Sequence, residues 1–339
     1  MHKIDIELIE MTMDVMKYAI DRISHTKQKV GKPQKAEELK TLVGETITPE
    51  GIGGEYAFNL WKQHLAKANV PVDHPRNLAF VPAAPTRAAV MFDLVTSVSS
   101  IHGAYWMEGA GGIFCENEAM KWIVSLTGLP EGAFGVFTSG GTAANLSAIV
   151  TAREHWREDE TYKREKGLII TSIGAHSSIK AMAKVADVDI MLVDTEEKLT
   201  GSSLRETIEN LNFHQRKRLF AVVATGGTTN AGIIDDLEGI AQVCEKENIW
   251  FHVDAAYGGG ALAADSVRHL FNGIERADSI TIDPHKWMFS PYDCGAVIYK
   301  KPELAKNAHS QQGSYLDIFK DEGAHGFNPT DYQIQLTRR

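Results

Sequence analysis

The sequence predicts an α/β protein with a mostly parallel central sheet covered by helices. From about residue 134 onward, short apolar runs rich in β-branched residues alternate with longer stretches of helical period. The short runs are apolar at nearly every position, so both faces of the sheet must be covered. A chain of 339 residues, 43% hydrophobic and 23% charged, is also long and apolar enough to bury such a core.

The elements follow in order. Residues 1–25 carry acids among apolar positions and read as an amphipathic helix, not a signal peptide. Residues 26–55 are polar and broken by Gly and Pro, a connection with room for one short helix. Residues 55–68, 86–100 and 115–127 have apolar spacings of three and four and few breakers, so they read as helices. Then GLIITS (167–172), VDIMLV (188–193), LFAVVAT (219–225), IWFHVD (249–254) and DSITID (278–283) read as buried strands. Helical stretches near 142–156, 177–186, 203–214 and 236–248 separate them. There is no internal repeat and no low-complexity tract.

Charge and cysteine content exclude several classes. A formal net charge of -9 disfavours nonspecific binding to nucleic acid or to anionic membranes. No apolar run reaches the roughly eighteen residues of a membrane span. Cys115, Cys244 and Cys294 are far apart and form no CxxC pair, which argues against a disulfide framework or a cysteine zinc site and for a reducing, cytoplasmic setting.

In a parallel sheet, ligands bind at the carboxyl ends of the strands, and four polar features fall there. TSGGTAANLSAI (138–149) is a Gly-rich turn running into a helix, with Thr142 adding a hydroxyl. Its backbone N–H groups and helix dipole suit an anion; it also reads as a tight turn with an N-cap. It is neither the GxxxxGK[ST] loop nor a GxGxxG fingerprint. AHSSIKAM (175–182) places His176 before a helix start, as a cap or as a site residue. FHVDAAYGGG (251–260) ends a strand on Asp254, an acid that needs a cationic partner if buried. His252 and Asp254 could share a metal, but no third ligand stands near them in sequence. SITIDPHKWMF (279–289) puts Lys286 just past a strand, beside His285. Alone, Lys286 could simply snorkel to the surface. One molecule accounts for all four: a phosphate for the turn, a basic ring nitrogen for Asp254, an aldehyde for Lys286 and a flat ring for His176 to stack on. That molecule is pyridoxal 5′-phosphate.

The motifs SGGTAAN, AHSS, HVDAAYGG and DPHKW, in this order and strand context, resemble the group II pyridoxal-phosphate-dependent amino-acid decarboxylases, from HPRNLAFVPAAP (74–85) to DYQIQLTRR (331–339). The resemblance implies fold type I of the pyridoxal-phosphate enzymes. It implies a helical N-terminal segment (1–85), a large cofactor-binding domain (86–305), and a mobile loop opening a smaller C-terminal domain (306–339) that this chain leaves incomplete. It further implies that Lys286 binds the cofactor covalently, Asp254 pairs with the ring nitrogen, Ala256 packs on one ring face and His176 stacks on the other. Gly141, Thr142 and His285 would contact the phosphate, and Thr229 and Asp235 would lie near the ring. Asp283 stands where many relatives have Asn. Tyr315, in AHSQQGSYLDIF (308–319), would deliver a proton to the substrate carbon, favouring decarboxylation over aldehyde synthesis. Phe80, Val81 and Pro82 correspond to a substrate-pocket region and tilt towards an aromatic side chain, whereas Arg76 or Arg87 would suit an acidic one. The resemblance implies a homodimer with an amino acid as substrate; the spacing of His252 and Asp254, with no third ligand near, predicts no metal. Another enzyme of the same cofactor fold (aldehyde synthase, carbon–carbon lyase or transaminase) and a cofactor-binding fragment without turnover are the alternatives.

Overall fold

The structure is a computed structural model that describes residues 4–24, 33–77, 79, 81, 83–195, 197–311 and 327–336. The chain divides into two compact units, Met1–Arg87 and Ala88–Arg339.

The first unit is helical. It holds α1 (Ile6–Ser24), α2 (Ala36–Val43) and α3 (Gly54–Leu60), the last running on into a π-helical turn at Trp61–Leu65. Tyr18 meets Phe58 edge-on at 5.7 Å, which docks α1 on α3. Arg22 donates to both carboxylate oxygens of Asp73 at 2.7 Å, a bidentate pair fixing the α1 end.

In the second unit come α4 (Arg87–Ser99, which starts on the last residue of the first unit), α5 (Trp106–Thr127), β1 (Phe134–Thr138), α6 (Gly141–Trp156), β2 (Leu168–Ser172), α7 (Ser177–Val185), β3 (Asp189–Val193), α8 (Gly201–Glu209), α9 (Phe213–Arg218), β4 (Leu219–Thr225), α10 (Leu237–Glu247), β5 (Trp250–Asp254), α11 (Asp265–Arg268), β6 (Ser279–Ile282), β7 (Gly295–Tyr299) and α12 (Pro302–His309). The seven strands form one sheet in the order β1-β7-β6-β5-β4-β2-β3. The five strands expected from sequence are parallel to one another. Two more, β1 and β7, complete the sheet, and β7 runs antiparallel between β6 and β1.

Alternation along each strand divides the core into two layers. Ile170, Val222, Phe251, Val253, Ile280 and Ile298 face one way and meet α5, α8 and α10. Ile169, Ala221, Val223, Trp250, Val297 and Tyr299 face the other way, where α6 lies across β4 to β7. Every residue of β2, β4, β5, β6 and β7 is buried, as the continuous apolar runs required. The stretch 203–214 breaks into α8 and α9 because Asn212 caps a new helix through the Gln215 amide. The third helix begins at Trp106, not near 115, because glycines 109, 111 and 112 remain inside it, with one non-helical residue at Gly109.

Candidate active site

The carboxyl ends of the parallel strands converge with the turn after β1 and the loop before β7 on a cleft of about 270 Å³. Among the sequence-predicted residues, Gly141, Thr142, His176, Thr229, Asp254, Ala256, Asp283, His285 and Lys286 all line it.

Its floor is the Gly140–Gly141 turn. Gly140 has φ 150, and no side chain caps α6, so the helix start is open to an anion. The packing there leaves no room for a Cβ. One on Gly141 would lie 2.9 Å from Asp283 Oδ2, and one on Gly295 would lie 2.5 Å from the Gly140 backbone.

Lys286 sits in the loop between β6 and β7. Its Nζ is 3.0 Å from Asp283 Oδ2. Asp283 is buried, and burial pushes its carboxyl up to about 6 despite the cation beside it. Its second oxygen, Oδ1, is buried with no hydrogen-bond partner among the described residues. His285 is fixed by the start of β7: its Nδ1 accepts from the Cys294 amide at 3.0 Å, which leaves the ring proton on Nε2, 3.6 Å from Asp283 Oδ2. Burial, and then the Lys286 cation, hold this imidazole down at about 4, so it is neutral at pH 7.

His176 is both a cap and a wall. Its Nδ1 accepts from the Ser178 amide at 3.2 Å and lies 2.8 Å from Ser178 Oγ, while the ring borders the cleft. Ala256 lies on the wall formed by the β5 end, and its amide donates to Asp254 Oδ1 at 3.2 Å.

Asp254 is buried at the end of β5, with Oδ2 accepting from Asn145 Nδ2 at 3.0 Å. Behind it, Asn145 Oδ1 meets His252 Nε2 at 2.9 Å, and His252 Nδ1 meets Ser279 Oγ at 2.8 Å. His252 is therefore a fully buried, hydrogen-bonded histidine. Its ring is held down at about 4 mainly by burial. No group of three metal-ligating side chains occurs among the described residues.

Asp235 is not on the cleft wall. Its Oδ1 accepts from the Leu199 amide and its Oδ2 from the Thr225 amide, both at 2.7 Å. Both oxygens are thereby committed to tying the segment before α8 to the end of β4. Val81 belongs to the first unit and has a left-handed φ of 49. Phe80, Pro82 and Tyr315 lie outside the described residues.

Sequence reasoning missed Asn145, Ser279 and Trp250. Their signals were present: Asn145 is the last residue of SGGTAAN, and W-x-H-x-D in β5 puts Trp250, His252 and Asp254 on one face.

The residues present fit pyridoxal phosphate by their chemistry. An uncapped helix start stands for the phosphate, a buried carboxylate for a ring nitrogen, and a primary amine for an aldehyde, all within one cleft. Comparison with known proteins points the same way. The chain is 30% identical over 98% of its length to the aromatic-L-amino-acid decarboxylase of Bacillus atrophaeus, covering 70% of that protein. It is 30% identical over 96% of its length to the acidic amino acid decarboxylase GADL1 of Xenopus tropicalis, covering 65% of it. It matches the crystal structure of mouse CSAD in apo form at 27% identity with a TM-score of 0.86, covering 98% of this chain and 71% of that one. The chain thus spans about two thirds of the length of the relatives it matches. The model of the pyridoxal-dependent decarboxylase conserved domain matches residues 56–339, so this chain belongs to the pyridoxal-dependent decarboxylase family.

Proposed function

We propose that the protein decarboxylates an L-amino acid to the corresponding amine and CO2, with pyridoxal 5′-phosphate in the cleft. The observation that carries this reading is Lys286 Nζ, 3.0 Å from buried Asp283 and bordering the same cleft as Asp254 and the open start of α6.

In this reading Lys286 attaches the cofactor, Gly141, Thr142 and His285 Nε2–H hold its phosphate, and Ala256 and His176 take opposite ring faces. Thr229 lies at the ring edge, and Asp283 offers its unpartnered oxygen beside the phosphate turn. Bound there, the cofactor supplies an electron sink for the pair left on Cα when CO2 departs. Asp254 would hold a proton on the ring nitrogen, an electrostatic contribution from a fixed carboxylate. His176 orients the substrate carboxylate so that the bond to be broken stands across the ring plane. One proton is taken up at Cα, and Tyr315 is its proposed donor.

The substrate is proposed as an aromatic amino acid, supported by the apolar stretch at Phe80, Val81 and Pro82 and by the name of the Bacillus atrophaeus relative. The acidic class is the second reading, supported by the name of the Xenopus tropicalis relative and by Arg76 and Arg87. A homodimer in the cytoplasm is part of the proposal. Exposed apolar side chains on α1 (Ile6, Met13) and on α4 (Phe92, Val98) support the dimer, and the three cysteines, none of them in a disulfide, support the location.

The test offers aromatic, acidic and diamino acids to the full-length natural protein with added cofactor and records CO2 and the organic product. Amine and CO2 from an aromatic amino acid are expected. An aldehyde, a keto acid or carbon–carbon cleavage would move the protein to another activity of this fold. Cofactor binding with no turnover of any class would reduce it to a binding role.

A further inference from the structure

The hydrogen bonds behind Asp254 run in one direction through the sheet. Alternation places Trp250, His252 and Asp254 on one face of β5, and the strand register sets His252 against Ser279 of β6. Asn145, in the second turn of α6, bridges His252 to Asp254. At the far end, Trp250 Nε1 donates to Ser279 Oγ at 2.9 Å. All five residues are buried.

The two ends fix the protons between them. An indole N–H only donates, and an ionised carboxylate only accepts. With Asp254 ionised, Asn145 turns Nδ2 to it and Oδ1 to His252. His252 then carries its proton on Nε2, and Nδ1 takes the Ser279 hydroxyl proton, while Ser279 Oγ takes the Trp250 proton. Each of the polar atoms along this path then has a partner. A proton on Asp254 Oδ2 would invert both the Asn145 amide and the His252 tautomer. Ser279 Oγ would then accept from His252 and Trp250 together, and its own proton would lose its place. The arrangement in which each of these atoms has a partner requires Asp254 Oδ2 to be an acceptor. Among the described residues, the hydrogen-bond partners of Asp254 include no cation, only the Asn145 and Ala256 amides.

We propose that Trp250, Ser279, His252 and Asn145 form a directed hydrogen-bond relay that positions Asp254 and keeps it ionised, and so keeps the cofactor's ring nitrogen protonated. This rests on the reading that Asp254 faces that nitrogen. The four are positioning residues: Trp250, His252 and Ser279 act only through their neighbours, and none of these three lines the cleft.

The test reads the ring nitrogen itself, by 15N NMR of full-length protein loaded with 15N-labelled pyridoxal phosphate. Wild type should give the resonance of a protonated ring. Ser279→Ala should move it towards the neutral-ring position and lower kcat about fivefold, the size of one hydrogen bond between neutral groups. His252 supplies a second pair. His252→Leu should shift the signal in the same way, whereas His252→Gln keeps an N–H for Asn145 Oδ1 and should restore most of the wild-type position. Thr281→Val is the control, since this buried hydroxyl on the same strand has no partner among the described residues; its signal should match wild type. A wild-type resonance in cofactor-loaded Ser279→Ala or His252→Leu overturns the relay while leaving Asp254 in its role. A neutral ring in the wild-type protein overturns both the relay and the assignment of Asp254.

Discussion

Asp283 is a buried acid in direct contact with the Lys286 amine. As a carboxylate it holds the Lys286 amine in an ion pair that competes with its attack on an aldehyde; it also places negative charge beside the turn proposed to take the phosphate. Its carboxyl is raised to about 6, so both effects operate at pH 7 to 8 and fade below pH 6. Asp283→Asn should therefore load pyridoxal phosphate several-fold faster than wild type at pH 8, and at the same rate near pH 5, in a stopped-flow absorbance measurement. Equal rates at pH 8 would show that Asp283 does not restrain the amine. Lys286→Ala should bind the cofactor reversibly and without the covalent absorption band, which dialysis followed by a visible spectrum decides. Nine of the ten residues named from sequence for cofactor binding line one cleft, because the motifs fall at strand ends and the sheet gathers those ends. Asp235 was expected near the ring from the resemblance alone; it lies off the cleft because both of its oxygens accept from backbone amides.

At the scale of elements, the start of β7 is pressed beneath the turn after β1. Gly295 has Gly140 backbone 2.5 Å and Asp283 Oδ1 2.8 Å from where its Cβ would stand. Gly295→Ala should cost about 1–3 kcal/mol of stability and weaken cofactor binding as the turn is displaced. Thermal melts with and without pyridoxal phosphate measure both, and an unchanged cofactor-induced rise in Tm would contradict the second part. The parallel strands were legible because a strand covered on both faces must be apolar throughout. Strands β1 and β7 were not named for two physical reasons. The stretch FGVFT follows a Gly- and Pro-containing stretch and opens on Phe-Gly, and GAVIY lies only twelve residues after β6 with no helix between, against the alternation that identified the rest. Antiparallel return needs no crossover helix, so the rule that found five strands passed over these two.

For the whole molecule, acid stability is a balance of buried groups. His252 and His285 are both lowered to about 4, so the folded state prefers them neutral. Their contribution is complete above the unfolded pKa near 6.5 and is lost as pH falls through about 4. Asp235 and Asp283 are raised to about 6 and act oppositely: their contribution is complete below about 3.8 and is lost as pH rises through 6. His252→Gln removes one member of the first pair. Whatever this variant loses at pH 7, it should gain relative to wild type by on the order of 3 kcal/mol on going to pH 4, since each tenfold change in proton affinity corresponds to about 1.4 kcal/mol. Urea unfolding at the two pH values gives this difference directly, and a constant gap between the proteins would show that His252 does not titrate on unfolding.

The lysine loop leaves the sheet at Ile282 and returns to the neighbouring strand at Gly295, with Ile282 paired to Ala296 and Ser279 to Tyr299. Both ends of the loop are thus anchored in the buried middle of the sheet. Amides in such a place exchange with solvent only when a large part of the fold opens. Deuterium uptake in β6 and β7 should therefore track global unfolding, and cofactor held at Lys286 as proposed should slow it. With the proposed attachment at Lys286, the cofactor would leave by chemical detachment from that amine and not by loosening of the segment that carries it.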